Sequence, residues 1–192
     1  MLSESAARWL LVLHTALGVA AVGAATHLVV WLRRYLRGQA GKRRAVLKFA
    51  WLVLGLQLAA FLAGNIMYPT YKVEVRAAYL ENAAALVASH EAHDRDVARV
   101  DLRDHGEPRE STVTADLVKR GAQAARWFDV KEHWVALGIL VSAALILILT
   151  LWNPARDPRV LGPIVTALAV ISAGTVWLAA IIGVLTAAWR AV

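Results

Sequence analysis

The sequence contains no cysteine, is only 18% charged over its 192 residues, and has no aspartate or glutamate in any of its long apolar blocks. Without cysteine, a disulfide scaffold, thiolate catalysis and cysteine-ligated metal centres are all excluded. A soluble domain usually carries about a quarter charged residues, and a disordered chain is poor in apolar residues. Neither class fits a chain that is 59% hydrophobic. The composition therefore favours a membrane protein.

Four apolar blocks are each long enough to cross a membrane, which takes roughly 20 residues of helix. They cover residues 9–32, 46–67, 133–152 and 160–189, and tryptophans lie at their ends as interfacial anchors do. Helices are expected because hydrocarbon cannot satisfy free backbone polar groups. We predict an all-α membrane protein, a single domain built as a bundle of four transmembrane helices.

The distribution of charge predicts the orientation of this bundle. Residues 33–48 hold seven Lys and Arg and no acid, and the second short loop, 153–159, is also net positive. The positive-inside rule places both loops in the cytoplasm, so both termini and the long middle segment lie outside. Compact loops and a composition rich in Ala and Arg indicate a bacterial inner membrane, with the lipid bilayer as the first partner.

The net charge of +7 does not indicate a nucleic-acid partner. Twelve of the fourteen acidic residues lie in one segment, 74–132, and the excess of basic residues lies mainly in the predicted cytoplasmic loop. No soluble basic face interleaved with aromatic residues is present, as nucleic-acid binding would require. The basic residues are instead explained by topology and by lipid headgroups.

The segment between the second and third blocks, about residues 70–130, is predicted to form a helical hairpin outside the membrane. Pro69 is expected to end or kink the second span. Apolar residues then recur at three- and four-residue spacing over residues 72–104, which predicts a helix that a His-Gly-Glu-Pro breaker ends. A second helix from about Thr114 to Trp152 continues into the third span without a stop signal.

Two histidines at the outer ends of parallel spans are candidates for binding a haem. His14 lies in the first block and His133 at the start of the third, on two different helices at similar depth. Two imidazoles on facing helices can hold a b-type haem from opposite sides. Gly18, one turn below His14, would leave room for the flat macrocycle. This layout resembles that of small four-helix membrane cytochromes b, which is an analogy of architecture.

Other roles for these histidines stay open. His14 could hydrogen-bond across helices or face a small water cavity, and His133 could belong to a hydrated interfacial cluster. His27 lies near the inner end of the first block without a histidine partner on another span. A second bis-histidine site is therefore not expected, and His27 is interpreted as a polar packing residue.

Tyr68, Tyr71 and Arg76 surround the exit of the second span. A tyrosine and an arginine at membrane level can hold a quinone headgroup or haem propionates, although an aromatic belt with paired charges is the favoured explanation for each residue taken singly. In the predicted outer hairpin, His90 and His93 share a helix face, which allows a weak zinc-type site. The alternative, which we favour, is that this helix face is an exposed surface rich in histidine and acidic residues.

The leading hypothesis is an integral membrane electron-transfer protein that binds one haem near its outer face and exchanges electrons with a quinone or a partner redox subunit. No phosphate-binding loop, nucleophile elbow or intramembrane carboxylate pair supports another chemistry. The alternatives are a non-catalytic subunit or scaffold that docks a partner through the outer hairpin, and a metal or pH sensor. Assembly as a homo-oligomer is compatible with each of them.

Overall fold

The structure is a computed structural model that describes residues 2–104, 115–154, 156 and 159–191. Within these residues the chain is helical almost throughout, which confirms the predicted all-α class. The α-helices are α1 (Glu4–Leu36), α2 (Arg43–Thr70), α3 (Ala83–Asp104), α4 (Ala115–Leu151) and α5 (Leu161–Ala191). A 3₁₀ turn over Ala40–Lys42 precedes α2, and a π-helix over Tyr71–Leu80 follows it.

In the described part of the chain, four helical segments are long and apolar enough to cross a membrane: α1, α2 with the π-helix, α4 and α5. Large apolar side chains also cover the outside of the bundle. Leu140 and Val184 are each 69% exposed and Trp51 is 58% exposed. Such a surface suits hydrocarbon rather than water. The chain is therefore a multi-pass membrane protein by the length and composition of its helices.

The four long helices form a ring. α1 packs against α2 and α5, and α4 packs against the same two helices. This arrangement places α1 and α4 across the diagonal of the bundle. α1 and α2 are joined by a short connection in which Gly38 has a φ of +97°, a left-handed conformation that glycine adopts without steric cost.

The apolar core lies in the half of the bundle next to this short connection, which we call the loop end. Buried residues recur at three- and four-residue spacing along each helix, as the inward face of a helix requires. They include Leu28 and Leu32 of α1, Val53 of α2, and Leu145 and Leu149 of α4. At its edge the Tyr35 hydroxyl donates to Asn153, and Arg43 donates to the Leu149 carbonyl at 2.9 Å. These bonds fix how the helices meet at the loop end.

The α-helical part of the second long helix ends at Thr70, one residue after Pro69, where the sequence predicted an end or a kink. α2 continues through Pro69 to Thr70 and passes directly into the π-helix, which extends to Leu80. Proline removes one backbone donor, and a local change of helical pitch can re-pair the neighbouring groups. The π-helix directly after Pro69 is a change of this kind, and π-segments are frequently found at functional sites. We call this half of the molecule the π-helix end.

Above the bundle, the predicted helix over residues 72–104 is divided into two parts. The π-helix ends at Leu80, and α3 begins at Ala83 after a two-residue turn. Leu80 packs against Ala124 and Ala125 of α4 in a small second core. The predicted breaker lies outside the described residues. α4 then runs unbroken to Leu151, which confirms the expected long helix.

Candidate functional site at the π-helix end

Polar side chains enter the bundle beyond the apolar core, in the middle of the spans. Ser142 of α4 donates to the Gln57 side-chain oxygen at 3.2 Å, and its hydroxyl lies 2.7 Å from that of Ser172 on α5. The Thr175 hydroxyl, also buried, donates to the Ser172 carbonyl at 2.8 Å. Gly138 leaves the space that Thr175 occupies, because a Cβ there would lie 2.4 Å from the Thr175 oxygen. We call Gln57, Ser142, Ser172 and Thr175 the mid-bundle polar layer.

Closer to the π-helix end, His14 of α1 makes a bond across to α2. Its imidazole is half-buried, and Nδ1 lies 2.9 Å from the Ala60 carbonyl oxygen. A carbonyl only accepts, so Nδ1 carries the proton and donates it. In the neutral ring Nε2 is then unprotonated and keeps its lone pair. Gly64 lies against the ring, since a Cβ at that position would be 3.4 Å from Cε1. Of the roles left open for His14, the hydrogen bond across helices is present in the structure.

A cluster of aromatic rings lies beside this histidine, centred on Phe128 of α4. Tyr71 stacks on Phe128 with ring centroids 4.0 Å apart, and Tyr68 lies 6.4 Å from the same ring. The Lys131 ammonium is 5.6 Å from the Phe128 centroid, and it also lies against Gly183 of α5, where a Cβ would be 3.3 Å away. The cluster therefore joins α2, α4 and α5.

Two polar groups of this cluster lack hydrogen-bond partners among the described residues. The Tyr71 hydroxyl is buried without a partner. Lys131 has no described carboxylate within 4.0 Å, although Glu132 and the His14 imidazole are close enough for electrostatic interaction. Buried polar groups in native structures are normally paired with protein, water or ligand. The unpaired Tyr71 hydroxyl therefore marks a place where a ligand can bind, and the Lys131 ammonium lies against the same Phe128 ring.

Arg76, which was predicted to share a pocket with Tyr68 and Tyr71, forms ion pairs instead. Its Nε lies 2.8 Å from the Glu81 carboxylate and its NH1 group lies 2.7 Å from Asp129 of α4. Only 23% of the side chain is exposed. The guanidinium is therefore committed to two carboxylates and ties the π-helix to α4. Of the three predicted quinone-pocket residues, only Tyr68 and Tyr71 come together around Phe128.

His133, the second predicted haem ligand, lies on another surface. Its side chain is exposed, and Nδ1 donates to the Asp129 carbonyl in its own helix at 2.8 Å. Nine residues separate it from the buried Ser142, which is about 180° around a helix at about 100° per residue. No hydrogen bond or ring contact joins the imidazoles of His14 and His133 in the described part of the chain. His27 is also exposed, bonds to the Gly23 carbonyl of its own helix at 2.8 Å, and stacks on Phe49.

The remaining predicted site residues do not converge. A Cβ added at Gly18 would meet nothing within 4 Å, so the glycine that packs on His14 is Gly64. His90 lies 3.6 Å from Asp94, one turn further along α3, and His93 is exposed. Among the described residues, no group of three or more His, Asp or Glu side chains is arranged to hold a metal ion.

Sequence reasoning missed the residues that complete this site. Gln57 and Gly64, which were missed, precede the predicted Tyr71 at seven-residue intervals, and the missed Lys131 and Gly138 are also seven apart. Seven residues are close to two helical turns, so each set lies on one helix face. Polar residues and glycines repeated at this interval within an apolar span could have identified the faces of α2 and α4 that contact each other.

Comparison with protein-family models, with curated proteins and with solved structures gave no match to this chain.

Proposed function

We propose that this chain is a membrane electron-transfer protein and that His14 holds the iron of one b-type haem near the π-helix end. The observation that carries the proposal is that the half-buried His14 donates Nδ1–H to the Ala60 carbonyl of a neighbouring helix, whereas His27 and His133 are exposed and bond to carbonyls of their own helices. Histidines that bind metals almost always donate their other ring nitrogen to a backbone carbonyl or a carboxylate. That bond fixes the tautomer and leaves Nε2 free to act as a ligand.

The distribution of polar residues along the bundle also supports a site at the π-helix end. The loop-end half is filled by apolar residues, whereas the buried hydroxyls and the Gln57 amide begin in the middle and continue toward His14. Ionisable and polar side chains inside a membrane are costly and mark functional sites. A cofactor site is therefore supported at the π-helix end.

His133 is not used as the second axial ligand in this proposal, because its side chain lies on the opposite face of α4 from Ser142. Among the described residues of the bundle, His14 is then the histidine that would hold the haem iron. This differs from the two-histidine arrangement expected from the sequence, and the two versions predict different behaviour of a His133 variant.

The test is the absorption spectrum of protein purified from cells supplied with haem. Wild type is expected to show haem bands, and His14→Ala is expected to lose them. His27→Ala is the matched control, since it removes an exposed histidine of the same helix, and it should keep the bands. His133→Ala should keep them as well. Loss of the bands in both His14→Ala and His133→Ala would restore the two-histidine arrangement.

A colourless wild-type protein would remove the electron-transfer proposal. The only role left for His14 would then be its hydrogen bond between helices. The protein would be better described as a subunit that docks a partner through its outer helices.

The proposed location is a bacterial inner membrane, with the π-helix end and its helical hairpin outside and the loop end in the cytoplasm. The seven basic residues and absent acids of 33–48 support this orientation. Because the chain has no cysteine, single substitutions such as Ser3→Cys and Gly41→Cys can be labelled in intact cells with a membrane-impermeant maleimide. Labelling at position 3 and protection at position 41 is expected, and the reverse pattern would contradict the orientation.

A further inference from the structure

Trp31, near the loop end of α1, contacts two cationic side chains. The Arg34 guanidinium carbon lies 5.2 Å from the centroid of the Trp31 ring, and the Lys42 ammonium lies 4.9 Å from it. Arg34 belongs to α1, whereas Lys42 belongs to the 3₁₀ turn that leads into α2. The two cations are therefore separated by no more than the sum of these two distances. We call Trp31, Arg34 and Lys42 the Trp31 cluster.

The positive charge of this cluster is not balanced by acidic side chains of the described residues. Among them, no carboxylate lies within 4.0 Å of a basic side chain of residues 33–48. The second short loop, 153–159, lies at the same end, because the Tyr35 hydroxyl donates to Asn153, and although it contains Asp157 it is net positive as well. An aromatic ring attracts a cation without removing its charge. The cluster is therefore electrostatically suited to an anionic partner.

Arg34 and Lys42 are also placed where a partner can reach them. Arg34 is exposed and Lys42 is half-buried. Arg43, the residue after Lys42, is used differently, since it donates to the Leu149 carbonyl and so joins α2 to the end of α4. Attraction between exposed charges extends over about 8–10 Å at moderate ionic strength. One anionic group at the Trp31 cluster is therefore attracted by both cations.

The position of the cluster in the chain favours a lipid as this partner. Trp31 lies at the end of the first apolar block, and tryptophan is enriched at the boundary between membrane and water. On the membrane side of the cluster, Val30 of α1 and Trp51 of α2 are exposed, which suits contact with acyl chains. Basic residues clustered directly beside a transmembrane helix attract anionic headgroups. A phospholipid with a net negative charge satisfies both requirements.

We propose that the Trp31 cluster binds the headgroup of an anionic phospholipid in the leaflet at the loop end, with Arg34 and Lys42 attracting its phosphate. The planar guanidinium of Arg34 offers several donors, and the Lys42 ammonium acts as a compact charge. Two of the seven basic residues of 33–48 are thereby assigned to one lipid site. This site requires neither haem nor electron transfer, so it stands or falls independently of the proposed function.

The test measures lipid binding to the full-length protein in detergent micelles by native mass spectrometry, with phosphatidylglycerol and phosphatidylcholine of identical acyl chains. Wild type is expected to bind phosphatidylglycerol more tightly. Arg34→Gln and Lys42→Gln should each weaken the Kd for phosphatidylglycerol by about fivefold, since one basic residue near an anionic surface contributes about 1 kcal/mol. Binding of phosphatidylcholine should not change. Arg34→Lys keeps the charge and should keep the preference for phosphatidylglycerol.

Matched controls separate a site from the general charge of the segment. Arg33→Gln and Arg44→Gln each remove one exposed arginine of the same basic segment, and the contacts described for the Trp31 ring include neither residue. Both variants should bind phosphatidylglycerol like wild type. Helical content of every variant is measured alongside, and the exposed change Arg34→Gln decides the matter if Lys42→Gln does not fold.

Each outcome decides the proposal. Equal affinity of wild type for the two lipids overturns it. Equal losses in Arg34→Gln and Arg33→Gln also overturn it, because the charge would then act over the whole segment and not at the Trp31 cluster. Displacement of phosphatidylglycerol by inorganic phosphate would assign the cluster to a soluble anion and overturn the lipid assignment as well.

Discussion

Gly138 is the point at which the structure predicts the least tolerance for a small substitution. In Gly138→Ala the new methyl group would lie 2.4 Å from the Thr175 oxygen and 3.1 Å from the Thr175 Cβ. α4 and α5 must move apart, which strains the bond between Ser142 and Ser172. Overpacking of this kind costs about 1–3 kcal/mol. Replacing glycine within a helix by alanine also gains up to about 1 kcal/mol, which offsets part of that cost.

Gly174→Ala isolates the steric cost, because a Cβ there meets nothing within 4 Å while the gain in helix propensity is the same. The free energy of unfolding is measured by titration with sodium dodecyl sulfate in mixed micelles. Gly138→Ala should be less stable than Gly174→Ala by about 1–3 kcal/mol. Adding Thr175→Ala should recover part of the loss. Equal stability of the two glycine variants would refute the described contact between α4 and α5.

Two further substitutions test the π-helix end. Gly64→Val should push the His14 imidazole away from α2 and lower the haem content measured as pyridine haemochrome, whereas Gly18→Val should leave it unchanged, because only Gly64 faces the ring. For Arg76→Gln and Asp129→Asn, a double-mutant cycle on the unfolding free energy should give a favourable coupling of up to about 1 kcal/mol, as the partly exposed ion pair allows. A haem loss shared by both glycine variants, or a coupling of zero, would contradict these contacts.

Hydropathy alone was enough to predict the number of membrane-crossing helices. Crossing a bilayer depends on the length of an apolar run, which is a local property of the sequence. The rotation of each helix about its axis, by contrast, depends on its contacts with the other helices. Lipid and protein surroundings are equally apolar, so an apolar pattern does not say which face meets a neighbouring helix. For this reason His14 and His133 could be placed at similar depth but not on facing surfaces.

The details of the site depend on contacts between distant segments. The Ala60 carbonyl that accepts the hydrogen bond from His14 belongs to the backbone, so no residue type in the sequence marks it. Gly64 is one of several glycines in the spans. Pro69 predicted an end or a kink, and the α-helix changes to a π-helix directly after it, but no sequence rule predicted that the chain continues as a helix to Leu80. The ion pair between Arg76 and Asp129 also joins distant segments, and the charge pattern alone did not identify which carboxylates Arg76 would meet.

The most direct test of the account is chemical rescue of the ligand position. His14→Gly removes the imidazole and leaves a space beside Gly64, and the variant is purified with and without imidazole in the buffer. The account predicts that haem bands are absent without imidazole and return when it is added, and that His27→Gly needs no rescue. If His14→Gly keeps its haem bands without imidazole, His14 is not the iron ligand and the central claim is contradicted.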